Sequence, residues 1–372
     1  MLQEGWAAGS LMLLPTLSFL AYFFAALWHN QPFSTRETPA TVIRIAVGIL
    51  FAGWVHPALG ALAALQAYWW LRHGFTRLLG GTLWPTIALM WWLAMQAPAW
   101  AYSATLAFFL AAGVMQTLFA ILQWRGWHLF PFPGYPVHGT IGHRTGLGIF
   151  LALLTPLAFA TDYGWLLVGW YGAGIALSRS TVATGAMALG LLVASPGTWW
   201  LLPFSPLLAL GRLIERHAPG TRLDGQLHLG RWALKSMFWS PPGRPADDTW
   251  ALRAGIWRST WRRSWTWPHW LLGHGARAFS HDARGWTASD GLREVYNEAH
   301  CDYLELGYDY GLLGLGLLAW AMVGLVGWPG GGAAAGVLVA LAVAMAANFP
   351  ISVTPLVAVA FFVLAWIARG LA

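Results

Sequence analysis

Long apolar runs constrain this chain more than any other feature of its sequence. Runs of roughly 15 to 24 mostly apolar residues recur up to residue 211 and again after residue 304. A helix that spans a bilayer needs about 17 to 25 such residues, and the shorter runs suit tilted, broken or protein-surrounded helices. The runs therefore predict an all-α, polytopic membrane protein with about twelve transmembrane helices.

Composition excludes an ordinary soluble protein. Of 372 residues, 58% are apolar and 9% are charged, whereas soluble globular proteins carry about 25% charged residues. Such a chain has too little polar surface to stay dissolved, so most of it must lie in lipid. Glu4 and the lack of a basic segment before the first run predict a retained span instead of a cleaved signal peptide. The single Cys301 excludes an internal disulfide and an iron–sulfur cluster.

The predicted spans fall into two groups on either side of one long loop. Residues 1–211 hold helices 1–9, residues 212–299 form an extramembrane loop with amphipathic helices, and residues 300–372 hold helices 10–12. The individual spans are predicted near residues 10–28, 41–55, 57–72, 82–98, 100–123, 144–161, 163–178, 181–195, 197–211, 305–327, 331–348 and 353–370.

The long loop is basic and rich in tryptophan. It carries 13 basic and 8 acidic residues, and no run in it is long enough to span a membrane. Arg253, Trp257, Trp261 and Trp265 recur at intervals of four, which is typical of a basic amphipathic helix at the headgroup level. A loop helix that packs on the bundle is the alternative. Arginine supplies all but one of the basic residues, and this suits an anionic partner, although a genome rich in G and C also favours arginine.

The richest polar sequence is HCDYLELGYDYGLLG, residues 300–314. On a continuous helix, His300 shares one face with Gly307, Gly311 and Gly314, and another helix can approach this face closely. Asp302, Glu305 and Asp309 lie on the opposite face. Ionisable residues that enter a bilayer are candidates for function, but a helix N-terminus also stabilises Asp302, and arginines of the loop can pair with the others. We favour the structural interpretation for the carboxylates and the functional one for His300.

The same stretch, AHCDYLELGYDYGLLGLGLL, resembles the O-antigen ligases and the related O-antigen polymerases. That family has a His, usually an Asn, nine residues and then Gly-x-x-Gly. Here His300 is followed by Cys301 in place of the usual Asn, and Asp309 replaces a common Glu. Residues 302–310 separate Cys301 from the Gly-x-x-Gly element.

Three other segments match the family in order and spacing, and a fourth, residues 346–368, resembles its closing helices. GTIGHRTGLGIF resembles its Gly-Thr-x-Gly-Asn-Arg segment, with His143 where Asn is usual, and LSRS resembles its Ser-Arg element. The run from Arg253 and Trp257 to GHGARAF resembles an Arg-x-x-x-Trp followed by Gly-x-Gly, and AANFPISVTPLVAV resembles its closing helices. Together these segments cover residues 139–368.

The resemblance implies a glycosyltransferase that moves a glycan from undecaprenyl diphosphate to an acceptor hydroxyl. It implies direct, inverting displacement without a cofactor or a metal, at the periplasmic face of the bacterial inner membrane. His300 would orient or deprotonate the acceptor, a task suited to a side chain that titrates near neutrality. Arg179, Arg253 and Arg144 would bind the diphosphate, although Arg144 can also simply anchor at headgroups. Asp302, Tyr303, Glu305 and Asp309 are possible supporting residues.

Sidedness and acceptor stay open at the level of sequence. The positive-inside rule places the basic loop in the cytoplasm, whereas the resemblance places it in the periplasm, and we follow the resemblance. An O-antigen ligase would use lipid A-core as acceptor, and a polymerase would use a second lipid-linked repeat. Protein-directed oligosaccharyltransferases share the architecture, and a lipid-linked sugar flippase is the rival of another class. Membrane lipids, the glycan donor and the acceptor are the expected partners, and nucleic acid is not.

Overall fold

The part of the chain that the structure describes is all-α. The computed structural model describes residues 56–73, 99–127, 137–195, 249–275, 278–289, 299–326 and 332–348, with single positions within 91–95 and 356–367. The helices of this part are α1 Pro57–His73, α2 Ala99–Trp124, α3 Arg144–Phe159, α4 Gly164–Ser178, α5 Thr181–Ala194, α6 Thr249–Ser264, α7 His269–Leu272, α8 Ala278–Ser289, α9 Asp302–Val326 and α10 Gly332–Ala347.

Most of these helices coincide with predicted spans. The runs predicted to lie within residues 57–72, 100–123, 144–195 and 305–348 are helices whose ends lie within about three residues of the prediction. The spans predicted near 10–28, 41–55 and 197–211 lie outside the described residues, and those near 82–98 and 353–370 are described only at single positions.

One described helix, α2, is both long enough and apolar enough to cross a membrane. Its segment Trp100–Trp124 has a mean hydropathy of 2.0, and only a third of its most apolar part is buried. Apolar side chains that remain exposed on the outside of a bundle favour a lipid environment. Helices α3, α4, α5 and α10 are apolar but shorter. These features indicate membrane association, and the count of twelve spans stays a prediction.

Helix α3 forms the centre of an apolar bundle. All residues from Gly146 to Ala158 are buried, and α4, α5 and α10 pack around them. Small residues allow the closest approaches between helices. A Cβ added at Gly190 of α5 would lie 2.8 Å from the carbonyl oxygen of Gly336 in α10. Tyr171 of α4 donates a hydrogen bond to the carbonyl of Leu110, 2.7 Å away, and so fixes α4 on α2.

Helix α9 is broken at Gly311, so the prediction of one continuous helix with a glycine face is wrong. Gly311 has φ 62° and ψ −174°, a conformation that essentially only glycine adopts. The reason is the short segment after α7, which packs against the break. A Cβ on Gly311 would clash with the backbone of Leu271 and Gly273. The break leaves carbonyls of the first half of α9 open to other donors.

The segment after α7 supplies those donors. The amides of His274 and Gly275 donate to the carbonyls of Tyr308 and Asp309, at 3.0 and 2.9 Å. The His274 ring stacks on Tyr308 with a centroid distance of 4.0 Å and stacks on His269 at the same distance. These contacts account for the sequence Gly273-His274-Gly275, which packs against the break in α9 at Gly311.

Several helix ends meet on one side of the described bundle. The end of α2 is hydrogen-bonded to the loop 137–140 that leads into α3. Ser178, at the end of α4, approaches Gly148, one turn into α3. The amide of Asp302 at the start of α9 donates to the carbonyl of Asn348, which follows α10, at 3.2 Å. Arg144, Arg179 and His300, which the sequence analysis selected, lie at or directly beside these helix ends.

Candidate active site

The first element of the site is the start of α3. His143 has an extended backbone, and its Nδ1 accepts a hydrogen bond from the amide of Gly146 at 3.3 Å, so it caps the helix. Asn is a preferred residue at such a cap, and His143 takes this role through a ring nitrogen. Arg144 follows as the first helical residue, and both side chains remain partly exposed.

The joint between α4 and α5 holds Arg179. This residue ends α4 in a left-handed conformation with φ 52°, and its amide donates to the carbonyl of Ala176. Ser180 then caps α5 by accepting from the amide of Ala183 at 3.2 Å. The two serines beside Arg179 both lie against Gly148 of α3. Arg179 is therefore within about one helical turn of the α3 start, along the helix axis.

Helix α6 contributes Arg253 and holds the segment before α9. Arg253 Nη1 donates to the carbonyl of Ala347 at 3.0 Å, and this ties α6 to the end of α10. One turn later, Trp257 Nε1 donates to the carbonyl of Ala299 at 2.7 Å. Ala299 directly precedes His300, so one helix carries the arginine and positions the histidine.

The tryptophan series on α6 divides into two faces. Trp257 is 4% exposed, whereas Trp261 and Trp265 are about half exposed. A step of four residues turns a helix through about 400°, so each step moves the series 40° further around the axis. A helix is observed here and ends at Ser264, one residue before Trp265, and its position at the headgroup level stays a prediction. Its inner face builds the site, and its outer face presents tryptophan.

His300 precedes α9 instead of lying on it. Its backbone is left-handed, with φ 53°. Helix α9 starts at Asp302, where the carbonyl of Cys301 accepts from the amides of Leu304 and Glu305 at 3.1 Å. The segment is also held by Glu305, whose Oε2 accepts from the amide of Ala299 at 2.9 Å. The helical face that the sequence analysis assigned to His300 is therefore not formed, because His300 lies in a short turn before the helix.

Arg179 and His300 are the two non-glycine residues with positive φ among those that the structure describes. A left-handed conformation costs a residue with a side chain about 1 to 2 kcal/mol. Such strain persists only where the surroundings hold it, and it concentrates at functional sites. Both residues were selected from the sequence for their chemistry.

Electrostatic coupling links the four side chains of the site. Burial, with the charges of Arg253 and His143, lowers the pKa of His300 from 6.5 to about 3. Burial, with the charges of Arg144 and Arg253, lowers the pKa of His143 to about 4. Burial and Arg144 lower the pKa of Arg253 to about 10. At neutral pH both imidazoles are therefore uncharged and Arg253 is cationic.

This arrangement favours an anion. Burial and the positive charge of Arg144 disfavour the ionised form of Arg253, and a negative charge bound beside Arg253 offsets both effects. A diphosphate provides such a charge and accepts bidentate hydrogen bonds from arginine. A neutral imidazole beside them accepts a proton from a hydroxyl group. We refer to His143, Arg144, Arg253 and His300 as the cation–imidazole cluster.

The remaining residues from the sequence lie around this cluster in structural roles. Asp302 is 3% exposed in the first turn of α9. Tyr303 donates to the carbonyl of Ala342 in α10 at 3.1 Å. Asp309 lies two turns further along α9 and accepts from the amide of Phe279 at 2.8 Å.

Cys301 is buried, and its burial raises the pKa of the thiol. A buried thiol of raised pKa is a poor nucleophile and a poor proton donor. Cys301 therefore contributes packing and its backbone carbonyl, which accepts the first hydrogen bonds of α9.

Sequence reasoning did not place His143 or Asn348 among the site residues. His143 directly precedes Arg144, and the pair His143-Arg144 was the signal that could have identified it. Asn348 is 3% exposed, and its backbone carbonyl holds the start of α9. Nothing in the sequence shows that residue 348 lies against residue 302, because α10 and the preceding helix separate them.

No group of three or more His, Cys, Asp and Glu side chains within the described ranges is arranged to hold a metal ion. His269, His274 and His281 each have a partner within the described residues. Their Nδ1 atoms lie 3.0 to 3.2 Å from Gly273 O, Tyr308 O and Asp282 Oδ1.

The chain was also compared with known families and proteins. No protein-family model matches it, and no curated protein matches it.

Proposed function

We propose that this protein is a membrane glycosyltransferase that moves a glycan from undecaprenyl diphosphate to an acceptor hydroxyl. The observation that carries the proposal is the place where α6 meets the start of α9 and the end of α10. There Arg253 donates a hydrogen bond to the carbonyl of Ala347 at 3.0 Å, and Trp257, one turn later, donates to the carbonyl of Ala299, beside His300, at 2.7 Å. Residues far apart in sequence meet there to form a site with two cations and two neutral imidazoles. That combination suits an anionic leaving group beside a hydroxyl nucleophile.

In the proposed reaction, Arg253 and Arg144 hold the diphosphate, and Arg179 approaches from the neighbouring joint. The acceptor oxygen bonds to the anomeric carbon from the face opposite the diphosphate. The bond between that carbon and the diphosphate oxygen breaks, and its electron pair leaves with the diphosphate. The hydroxyl proton moves to a ring nitrogen of His300. The bound diphosphate raises the pKa of His300, because negative charge nearby favours the protonated ring.

The finer architecture belongs to the same proposal. The chain spans the bacterial inner membrane about twelve times, with the loop 212–299 in the periplasm. The apolar length of α2 and the exposed tryptophans of α6 support this arrangement. The helix ends that carry the cation–imidazole cluster then lie at the outer leaflet, where the glycan of a lipid-linked donor is available.

The acceptor that we propose first is lipid A-core, as in an O-antigen ligase. The alternative is a second lipid-linked repeat, as in a polymerase. Purified protein in proteoliposomes, given undecaprenyl diphosphate glycan and one acceptor at a time, separates the two. Extension of lipid A-core identifies a ligase, and extension of the lipid-linked repeat identifies a polymerase. Failure to extend either acceptor would contradict the proposed activity.

Substitution His300→Ala separates transfer from transport. We expect it to reduce glycan transfer by about 10²- to 10⁴-fold, the usual contribution of a general base, and to leave binding of undecaprenyl diphosphate nearly unchanged. The matched control is His281→Ala, because His281 is largely exposed on α8 and pairs with Asp282. Unchanged turnover in His300→Ala would favour a flippase, which needs a basic cavity but no proton acceptor.

A further inference from the structure

Two buried glutamines mark the apolar helix α2. Gln116 and Gln123 are seven residues apart, so they lie on the same face of the helix. Each is 4% exposed. Burying a primary amide is unfavourable unless its hydrogen bonds are satisfied. The cost rises further in a helix that crosses a membrane, so the partners of these amides indicate what the glutamines do.

Gln123 binds the backbone of the loop before α3. Its Oε1 accepts from the amides of His138 and Gly139, both at 2.8 Å. Its Nε2 donates to the carbonyl of Gly139 at 3.0 Å. The amide side chain thus pairs with the loop as a neighbouring strand would, through donor and acceptor together.

Gln116 binds the next residue of the same loop. Its Oε1 accepts from the amide of Thr140 at 2.9 Å, and its Nε2 donates to Thr140 Oγ1 at 2.5 Å. Gly139 lies between the two glutamines with φ 58°, and a Cβ there would collide with Gln116 Oε1. Together, the hydrogen bonds of both glutamines and the close contact at Gly139 fix the position of the loop relative to α2.

This loop ends at the cation–imidazole cluster. Three residues after Thr140 come His143, which caps α3, and then Arg144. Only Ile141, which is buried, and Gly142 separate Thr140 from His143, so we expect a displacement of the loop to be passed on to His143 and Arg144. A shift of about 1 Å at a reacting centre can cost up to about 100-fold in rate.

We infer that Gln116 and Gln123 are positioning residues, which set Arg144 and His143 at the distance from Arg253 and His300 that a diphosphate requires. The inference rests on the proposed function and deepens it. A purely structural role is the alternative, in which the glutamines only satisfy loop amides. The two roles differ in whether the effect of Gln123 passes through Arg144.

Gln66 of α1 offers a matched control. It is also a glutamine in an apolar helix and is 4% exposed. Its Oε1 accepts no hydrogen bond from the part of the chain that the structure describes. Gln66→Leu therefore removes a buried amide from an apolar helix without disturbing the loop 137–143.

The experiment measures binding of undecaprenyl diphosphate to the full-length protein in detergent micelles. We expect Gln123→Leu to weaken binding about tenfold and Gln66→Leu to leave it within about twofold. Gln123→Glu keeps an oxygen acceptor for both loop amides but loses the Nε2 donor to the Gly139 carbonyl, so its binding should lie between that of the wild type and that of Gln123→Leu. Thermal unfolding of each variant identifies any loss of binding caused by a loss of fold.

A double-mutant cycle with Arg144→Ala decides between the two roles. If Gln123 acts through Arg144, the double variant binds no more weakly than Arg144→Ala alone. Additive losses in folded variants would overturn the inference and leave the proposed function standing. A wild-type protein that does not bind the lipid diphosphate would overturn both.

Discussion

Arg179 and His300 share a left-handed backbone, with φ of 52° and 53°, but the two joints that hold them are built differently. The joint at Arg179 is held by its neighbours in sequence. Ser178 Oγ donates to the carbonyl of Ile175, and it accepts from the amide of Ser180 at 3.3 Å. Two helices with short polar ends define this joint almost without outside help.

The joint at His300 depends on distant parts of the chain. Trp257, 43 residues earlier, holds the carbonyl of Ala299. Asn348 holds the amide of Asp302 from the far end of α10. The position of Arg179 is therefore determined by residues close to it in sequence. The position of His300 is determined only when α6, α9 and α10 have packed together.

The largest expected effect tests whether the two joints serve one site. The charge of Arg253 acts on His300, and its guanidinium donates a hydrogen bond to the carbonyl of Ala347 at the end of α10. Arg253→Ala therefore removes both a positive charge and a contact between α6 and α10. We expect kcat/KM for glycan transfer to fall by about 10²- to 10³-fold, as for other groups that stabilise developing negative charge. Arg253→Lys should recover only part of this, because an ammonium cannot form the bidentate contact. Steady-state kinetics in proteoliposomes provides the measurement.

Arg179→Ala sharpens the same comparison. If Arg179 also contacts the diphosphate, its loss should raise the donor KM without changing the pH dependence of the reaction. An Arg179→Ala variant with wild-type donor KM would separate that joint from the site.

Much of the fold could be predicted because apolar run length and capping residues are local properties. Helices α3 and α5 begin at the predicted residues, since His143 and Ser180 cap them from the adjacent position. The break in α9 could not be predicted. Three glycines of similar spacing occur there, and only the packing of Gly273 selects Gly311 as the broken one.

The site divides in the same way. His300, Arg144 and Arg253 were identified because they stand at the matching positions of short motifs in the resemblance described from the sequence. Their coupling is a tertiary property, and so is the part played by Gln123, whose partners lie across a loop. A glutamine in an apolar helix indicates that its amide has a hydrogen-bond partner, but the sequence does not show which residue that partner is.

A second prediction concerns pH. The pKa of His300 is about 3 in the unliganded protein, so kcat/KM, which reports the free enzyme, should show no inflection near 6.5. The inflection in kcat should lie higher than about 3, because the bound diphosphate favours the protonated imidazole. Arg253→Ala should also raise the pKa of His300, since it removes a cation. Rates measured across the pH range for both proteins test these directions.

The same lowered pKa values affect stability. His143 and His300 bind fewer protons in the folded protein than in the unfolded chain between about pH 3 and 6.5. The free energy of unfolding should therefore fall as the pH is lowered through this range. A stability that rises on acidification would contradict the position assigned to the two imidazoles.

A third prediction weakens each joint through one hydrogen bond. Trp257→Phe keeps an aromatic ring but leaves the carbonyl of Ala299 without its donor, which costs about 1 to 3 kcal/mol of stability. Ser180→Ala removes a helix cap and costs about 1 kcal/mol. Trp257→Phe should in addition lower kcat several-fold, because His300 loses its support, and kinetics with denaturant unfolding gives both values. Equal effects of the two variants on kcat would contradict the contrast between the joints.

The smallest effect isolates the backbone itself. His300→Gly and His300→Ala both remove the imidazole, but only glycine adopts positive φ without steric cost. We expect the Gly variant to be about 1 kcal/mol more stable than the Ala variant, and the same order at Arg179. Arg258, which is helical in α6, is the control, where Gly should be about 1 kcal/mol less stable than Ala. Denaturant unfolding of the three pairs measures the differences. If Ala were the more stable residue at 300 as well as at 258, His300 would not hold a strained backbone, and its joint would have to be described as an ordinary turn.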